Sequence, residues 1–272
     1  MAEYPALEID LSTDDESLPD RLYALLDEFE PSAIHDDDGT WRVFFRSSST
    51  RDAAQAALAG VRGVNVSAVD VPDEDWARRS QEKLRAIDAG GLIVAPPWDV
   101  PRGGSAPVII IEPSTGFGTG HHATTRLCLL MLQQLDLRGA RVLDVGTGSA
   151  VLALAAWKLG AADVVAIDHD QDALDNARDN IARNGAAPSI DIIRDDLETL
   201  RIERAEIVLA NLTGAVLVRY AAELRGLATD GGYLILSGFA PFDVAVILTA
   251  FAGVTVIDTK VEGEWASVCL RA

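Results

Sequence analysis

The sequence predicts an α/β fold in which a mostly parallel sheet is covered by helices, preceded by a smaller α+β domain. From residue 141 onward, short apolar strands alternate with amphipathic helices, a pattern typical of a parallel sheet buried on both faces. The first seventy residues instead suggest four strands and two helices. A third observation, a strand that runs directly into Gly146 and Gly148, indicates a ligand site in the larger domain.

The elements of the small domain follow from periodicity and turn residues. We expect strands over residues 6–12, 32–35, 40–47 and 64–71, and helices over 17–29 and 50–60. This β-α-β-β-α-β order is the ferredoxin-like pattern. Because that scaffold supports many functions, it says little about activity. The small domain is assigned to residues 1–71.

A helix over residues 72–87 is expected to connect the halves, within a linker assigned to 72–92, and residues 93–272 form the larger domain. Its first strands are predicted at 91–99 and 106–114, before a helix at 123–135. The alternating part has strands at 141–146, 163–170, 189–196, 205–212 and 231–239, and helices at 150–160, 171–185 and 215–228. Residues 254–272 give two more strands joined by a turn, and therefore antiparallel.

The charge of the chain is large and unevenly placed. The net charge is −19, and residues 1–75 carry 18 Asp and Glu against 5 Arg and no Lys. Such an acidic surface repels phosphates, so we expect no direct binding to nucleic acid. It favours a basic protein partner, although a charge that serves only solubility is an equal alternative.

The remaining composition points to a cytoplasmic protein. No apolar run approaches the ~18 residues of a membrane span, and the acidic N-terminus lacks the order of a signal peptide. The two cysteines, Cys128 and Cys269, form no CxxC pair, which argues against a disulfide framework or zinc site. A monomer is favoured.

The strongest motif is the strand and glycine turn at residues 141–150. Val151 occupies the third position of the dinucleotide pattern G-x-G-x-x-G, so that fingerprint fails. Asp144, two residues before Gly146, suits an anion poorly but could attract the ammonium and sulfonium of S-adenosylmethionine. The alternative is a generic tight turn between a strand and a helix.

Polar residues end the next three predicted strands, at the usual ligand edge of a parallel sheet. Asp168 can accept both ribose hydroxyls of an adenosine cofactor, whereas Asp170 is expected to cap the following helix. Asp195 or Asp196 can meet the adenine amino group, with capping by Asp196 as the alternative. Asn211 can accept a hydrogen bond from an amine or the cofactor, or can simply form a turn.

The loop at residues 112–125, EPSTGFGTGHHATT, precedes a long apolar helix. A phosphate cradle, a metal site and a lid over a charged cofactor all suit its glycines and hydroxyls at first. His121 and His122 are adjacent and point in different directions, with no third ligand at metal spacing. We therefore expect no metal, and either a position on the loop surface or local hydrogen bonding for the histidines.

With these motifs the chain resembles the ribosomal protein L11 methyltransferases, the PrmA family, over residues 75–272. That family has a loop of the form D-P-G-x-A-F-G-T-G-x-H-x-T-T, then the glycine motif, the strand-end Asp and an A-N-I/L segment. The chain keeps the defining residues of each motif: Phe117, Gly118, Thr119, Gly120, His122, Thr124, Thr125, Asp144, Gly146, Gly148, Asp168 and Asn211.

The resemblance implies a Rossmann-like class I methyltransferase domain that uses S-adenosylmethionine. Thr125, Gly146, Asp168 and Asn211 would bind the cofactor, and Phe117 with the loop glycines would close over its methionine end. With the motif residues, the predicted cofactor site is Thr125, Gly146, Asp168, Asn211, Phe117, Gly118, Thr119, Gly120, Asp144, Thr147, Gly148 and Asp195. The implied substrate is a ribosomal protein, methylated on lysine or N-terminal amines and held by the small domain. No catalytic base is assigned.

The chain departs from the family pattern around the loop. Glu112 replaces Asp, Ser114 and Thr115 replace Gly and an apolar residue, His121 replaces Thr, and Ala123 and Ala150 replace Pro and Gly. The changes before Phe117, at Glu112, Ser114 and Thr115, lie near the expected entrance for the acceptor amine. The alternatives are therefore a methyltransferase with another protein or small-molecule acceptor, and a cofactor-binding interaction protein without catalysis.

Overall fold

The computed structural model describes residues 3–11, 18, 22, 25–26, 29, 31–37, 40–61, 63–72, 84–113 and 120–272. The chain divides into two compact units, Met1–Lys83 and Leu84–Ala272. Among the helices in these ranges, none is long and apolar enough to cross a membrane.

The N-terminal unit contains one antiparallel sheet. Its elements are β1 (Glu3–Leu11), β2 (Ala33–Asp37), β3 (Thr40–Phe44), helix α1 (Ser48–Leu58) and β4 (Val64–Pro72). The strand order is β2-β3-β1-β4. Much of the helix predicted over 17–29 lies outside the described residues, so the ferredoxin-like assignment stays a prediction.

Periodicity explains the core of this unit. Leu7 and Ile9 alternate along β1 with more exposed positions, and both are buried. They pack in one cluster with Leu18, Leu22 and Leu26, which are helical and spaced by four residues. This spacing places all three leucines on one helix face. Each buried leucine contributes about 1.5–3 kcal/mol of hydrophobic stabilisation.

The C-terminal unit is built on a seven-stranded sheet. Its strands are β8 (Arg141–Val145), β9 (Asp163–Asp168), β10 (Ile190–Arg194), β11 (Ala205–Asn211), β12 (Ala228–Phe239), β13 (Thr255–Glu262) and β14 (Trp265–Arg271). The order is β10-β9-β8-β11-β12-β14-β13. The first five strands are parallel, and β14 is antiparallel to both neighbours. The predicted α/β class, mostly parallel with antiparallel C-terminal strands, is confirmed.

Helices cover both faces of this sheet. They are α2 (Ala123–Leu132), α3 (Val151–Lys158), α4 (Gln171–Arg183), α5 (Gly214–Arg219), α6 (Ala221–Gly226) and α7 (Val244–Ala250). Val142 and Ala166 face a core shared with α2, α3 and α4. Their neighbours Leu143 and Val165 face a second core with α5, α6 and α7. Successive strand residues thus enter opposite cores, which explains their continuous apolar character.

Several predicted boundaries are wrong. The helix predicted over 72–87 is absent from residues 84–87, because Ile87–Asp88 form β5, which pairs with β6 (Ile93–Ala95); residues 73–83 of that helix lie outside the described residues. Strand β6 in turn pairs with β7 (Val108–Ile110), and residues 97–99 form a 3-10 turn rather than a continued strand. The single helix predicted at 215–228 is interrupted at Tyr220.

Candidate functional site

The parallel register brings the predicted strand-end residues to one edge of the sheet. Asp144 pairs with Ala166 on β9 and with Leu209 on β11. Asp168 ends β9 opposite Arg194 of β10, and Asn211 ends β11. Because carboxyl ends of parallel strands meet at the same edge, Asp144, Asp168 and Asn211 lie at one edge of the sheet, the edge at which open α/β sheets hold ligands in a crevice.

The turn after β8, residues 146–150, is called here the glycine loop. Gly146 and Gly148 have φ of 72° and 54°, a conformation that L side chains rarely adopt. The amides of Gly146 and Thr147 both donate to the Ile167 carbonyl, each at 2.9 Å. A Cβ at Gly146 would overlap the Leu212 side chain. The backbone therefore requires glycine here, and the loop is tied to β9.

Ala150 also has a left-handed conformation, with φ 64° and ψ 20°, directly before α3. Ala150→Gly removes about 1–2 kcal/mol of strain and a buried methyl group worth about 0.8 kcal/mol. We expect stability to stay the same or rise slightly. The matched control is Ala155→Gly, which is also buried but helical and should lose about 2 kcal/mol. Urea unfolding measures both, and equal losses would contradict the strain argument.

Asp144 is almost fully buried, with 1% of its surface exposed. Its Oδ2 accepts from the Thr147 hydroxyl at 2.7 Å and from the Ala153 amide at 3.0 Å. The predicted site residue Thr147 thus directs its hydroxyl toward Asp144. Burial raises the pKa of Asp144 to about 6, against the lowering effect of these two hydrogen bonds. Asp144 fixes the glycine loop to α3 and places an ionisable group beside the crevice.

Because of this raised pKa, the difference in unfolding free energy between Asp144→Asn and wild type should depend on pH. Asp144 binds its proton more tightly in the folded chain than in the unfolded one. The stabilisation of the folded state by protonated Asp144 is therefore fully present below about pH 4 and is lost as pH rises through about 6. Asp144→Asn cannot ionise, and its single oxygen can replace Oδ2. The unfolding free energy of D144N relative to wild type should therefore increase from about pH 4.5 to about pH 7. Other titrating groups cancel in this difference, and a constant difference would contradict the prediction.

Asp168 lies beside the glycine loop with 9% of its surface exposed. Its Oδ2 accepts from the Gly148 amide at 3.0 Å, and its Oδ1 accepts from the Asp170 amide at 3.1 Å. Asp170 caps α4 by accepting from the Asp172 amide, which confirms its predicted capping role. The His169 ring nitrogen Nδ1 also lies 3.5 Å from Oδ1. Each carboxylate oxygen can accept more than one hydrogen bond, so Asp168 can also accept from ribose hydroxyls.

Asp195 and Asp196 both bond within the turn that follows β10. The Asp195 carboxylate accepts from the Asp196 amide at 2.8 Å and from the Thr199 hydroxyl at 2.6 Å. The Thr199 hydrogen bond and then the amide lower the pKa of Asp195. Asp196 accepts from the Glu198 amide at 3.1 Å. The Asp195 amide donates to the Asp168 carbonyl at 3.1 Å, so the turn is attached to the site, and adenine contact stays a prediction.

Asn211 and Thr125 meet although 86 residues separate them in the sequence. The Asn211 amide nitrogen donates to the Thr125 hydroxyl oxygen over 3.4 Å. Thr125 is buried in the first turn of α2. With its nitrogen directed at Thr125, Asn211 turns its carbonyl oxygen away from Thr125, where it can accept from a ligand donor. These two predicted residues thus share one corner of the crevice.

The loop at residues 112–125 is described at Glu112, at Pro113 and from Gly120 onward. Phe117, Gly118 and Thr119, predicted to close over the cofactor, lie outside the described residues. Gly120 has φ 82°, and a Cβ there would lie 2.6 Å from Val94 Cγ1. The predicted Gly120 therefore marks a close approach to β6, where an alanine would be strained.

The predicted local hydrogen bonding is seen for His122, whereas His121 contacts a carbonyl 36 positions away. His122 caps α2, with its Nδ1 2.8 Å from the Thr124 hydroxyl, and its ring packs edge-on against Trp265. His121 Nε2 lies 2.6 Å from the Arg85 carbonyl. Within the ranges that the structure describes, no cluster of three His, Cys, Asp or Glu could hold a metal ion.

Arg126 holds the start of α2, and the sequence motifs did not identify it as a residue that supports the site. Its guanidinium bonds to the His121 carbonyl and to both carboxylate oxygens of Glu262, with Nε–Oε1 at 2.9 Å. Arg126 belongs to α2 and Glu262 ends β13, 136 residues later. An arginine beside the loop motif was the available signal, but its partner could not be identified before the sheet order was known.

The fold and the crevice together define a class I S-adenosylmethionine-dependent methyltransferase. A glycine loop follows the first parallel strand, an acceptor carboxylate ends the second, and an antiparallel strand is inserted near the sheet edge. Residues 21–272 match the family model described as ribosomal protein L11 methyltransferase (PrmA). The chain belongs to this family, as the sequence motifs predicted.

Similar proteins agree with this assignment. The ribosomal protein L11 methyltransferase of Pelotomaculum thermopropionicum is 38% identical over 210 residues, covering 76% of this chain and 68% of that protein. The one from Geobacter sulfurreducens is 34% identical and covers 97% of this chain and 91% of that protein. The crystal structure of a ribosomal protein L11 methylase from Lactobacillus delbrueckii subsp. bulgaricus has a TM-score of 0.64 at 26% identity, covering 69% of this chain and 98% of that chain.

Proposed function

We propose that the chain transfers methyl groups from S-adenosylmethionine to amines of ribosomal protein L11, on lysine side chains, the N-terminus or both. The observation that carries this proposal is the family match over residues 21–272, together with the motif residues gathered at one sheet edge. The acidic residues 1–75 support a basic protein substrate, since opposite charges speed association. The substrate and the sequence composition are both consistent with action in the cytoplasm.

The proposed cofactor site uses the predicted residues with distinct roles. Asp168 would accept from the ribose hydroxyls, and the side-chain-free Gly146 and Gly148 would let the ligand approach the backbone. Asp144 would keep the glycine loop in place and favour a positively charged ligand. When bound, S-adenosylmethionine supplies an electrophilic methyl group on a sulfonium.

The acceptor amine must reach this site neutral and aligned. A lysine ammonium with a pKa near ~10.4 is not nucleophilic, so the site must favour loss of its proton by desolvation or by nearby positive charge. The Asn211 carbonyl oxygen, oriented by Thr125, would accept from the remaining N–H groups and hold the amine. Alignment at near-attack distance supplies most of the barrier reduction.

A labelling experiment tests the proposal. The purified full chain is incubated with S-adenosylmethionine carrying a tritiated methyl group and with large ribosomal subunits from cells that lack this modification. Label in L11, located by peptide mass spectrometry on lysine or N-terminal amines, is the expected result. Label only in other acceptors would replace the substrate assignment, and tight cofactor binding without any label would indicate a binding protein.

Oligomeric state and domain organisation belong to the same proposal. We propose a monomer in which residues 1–71 hold the protein substrate, residues 72–92 connect, and residues 93–272 carry out methyl transfer. Light scattering of the purified chain tests the first point. Deletion of residues 1–71 should abolish labelling of L11 while leaving cofactor binding intact, and retained labelling of L11 would contradict the substrate-holding role.

A further inference from the structure

Asn180 lies in α4, outside the residues proposed to bind the cofactor, yet it is fully buried at 0% exposure. It belongs to the helix face that carries Leu174, Ala177 and Ile181, all of them buried. An amide in such surroundings is costly unless each polar end has a partner. We therefore expect both the nitrogen and the oxygen of the Asn180 side chain to have hydrogen-bond partners.

Both ends of the Asn180 side chain bond to backbone groups of different segments. Its Nδ2 donates to the Ser149 carbonyl in the glycine loop at 3.2 Å, and also to the Asn176 side-chain oxygen one helical turn earlier at 3.2 Å. Its Oδ1 accepts from the Glu112 amide at 2.8 Å. The two partners need a donor on one side and an acceptor on the other, so the amide has one orientation and cannot be replaced by a carboxylate without losing a bond.

Two further residues near the end of α4 contact the chain at Ile110 and Glu112 but not the glycine loop. Asn184 accepts from the Ile110 amide at 2.9 Å and donates to the Ile110 carbonyl at 2.7 Å, and Arg183 forms an ion pair with Glu112. The chain then continues into the loop that the sequence predicts to close over the cofactor. Of these contacts, the Asn180 bridge is the one that also reaches the glycine loop.

We propose that Asn180 is a positioning residue that holds the glycine loop and the backbone at Glu112 at a fixed separation. The glycine loop at Ser149 and the backbone at Glu112 are then held as one unit, although they lie 37 positions apart in the sequence. This inference rests on the proposed cofactor site and names a residue that controls it without touching the ligand.

Asn180→Asp is the sharpest variant because it changes the donor toward Ser149 and keeps the acceptor toward Glu112. At about pH 8 the carboxylate would face the Ser149 carbonyl, and we expect cofactor Kd and KM to rise at least about tenfold. Protonation restores an O–H donor, so the ratio of Kd values between N180D and wild type should fall toward one as pH decreases to about 6. A purely structural role would give no such recovery in affinity.

Asn184→Asp is the matched control. It makes the same change one helical turn later, at a side chain that bonds to Ile110 and to the Asn180 carbonyl. We expect lower stability but a cofactor Kd within about twofold of wild type. Equal Kd values for N180D and wild type, or equal losses in N180D and N184D, would overturn the proposal.

Hydrogen exchange of the wild-type chain provides a test that does not depend on folding of a variant. Saturating S-adenosylmethionine should slow exchange of the Glu112 amide together with the amides of the glycine loop, because Asn180 links them. Protection of the glycine loop without protection of Glu112 would overturn the inference alone. Failure of wild type to bind S-adenosylmethionine would instead overturn the proposed function.

Discussion

Replacing Gly238 by alanine is expected to cost about 4 kcal/mol of unfolding free energy. Gly238 lies in β12 with φ 99°, and a Cβ there would lie 2.7 Å from the Leu212 carbonyl carbon and closer still to its oxygen. Left-handed backbone strain adds to this overlap. Because the obstructing atoms are backbone, no side-chain rotation can relieve it.

The same substitution should weaken cofactor binding in the molecules that still fold. Leu212 follows Asn211 directly, its amide donates to the Ser237 carbonyl at 3.0 Å, and its side chain packs against Gly146. A displaced Leu212 therefore moves both Asn211 and the glycine loop. Urea unfolding gives the stability, and calorimetric titration with S-adenosylmethionine below the unfolding transition gives the affinity.

Gly226→Ala is the control for Gly238→Ala. Gly226 ends α6, and a Cβ there would meet no atom within 4 Å. Removing a helical glycine should leave stability unchanged or raise it by up to about 1 kcal/mol. An unchanged urea midpoint for G238A would contradict the prediction, because it would mean that the backbone at Leu212 can shift at little energetic cost.

The sequence predicted the sheet of the C-terminal unit well because its strands are buried on both faces. Such strands are mostly apolar runs that end at a glycine or a polar residue, as β8 does before Gly146, β9 at Asp168 and β11 at Asn211. Once they are parallel and adjacent, the residues at their ends must share one edge. This is why Asp144, Asp168 and Asn211 could be grouped before any coordinates were known.

Helix α7 was not predicted from the local sequence pattern. Its sequence, VAVILTA, is rich in β-branched residues that favour strands, and no helix was predicted there. Ile247 and Phe251, four residues apart, are both buried in the core shared with α5 and α6. Packing of that one face outweighs the weak intrinsic preference. The break at Tyr220 likewise has no glycine or proline to announce it.

The residues that support the site were missed for a different reason. Asn180, Arg126 and Gly238 act through partners at Ser149, Glu262 and Leu212. Each pairing joins elements whose adjacency is set by the strand order, so hydrophobic periodicity carries no sign of it. A polar residue on an apolar helix face, as at Asn180, is the nearest signal that a sequence offers.

Asp168→Ala is expected to raise the Kd for S-adenosylmethionine at least about 100-fold, because it removes charged hydrogen bonds to the ligand that are each worth about 1.5–3 kcal/mol. The variant also leaves the Gly148 amide, now paired at 3.0 Å, without its acceptor, so the glycine loop loses a constraint. Both effects weaken cofactor binding more than they destabilise the hydrophobic core. Calorimetric titration of the full chain measures the change in affinity.

Asp170→Ala separates this effect from the loss of a neighbouring carboxylate. Asp170 caps α4 through the Asp172 amide at 3.0 Å, so D170A should lose about 1 kcal/mol of stability while keeping the cofactor Kd of wild type. If D168A binds S-adenosylmethionine as tightly as D170A does, the ribose is not held at the end of β9. The proposed cofactor site would then have to move to another part of the crevice, since Asp168 is the acceptor that the glycine loop itself positions.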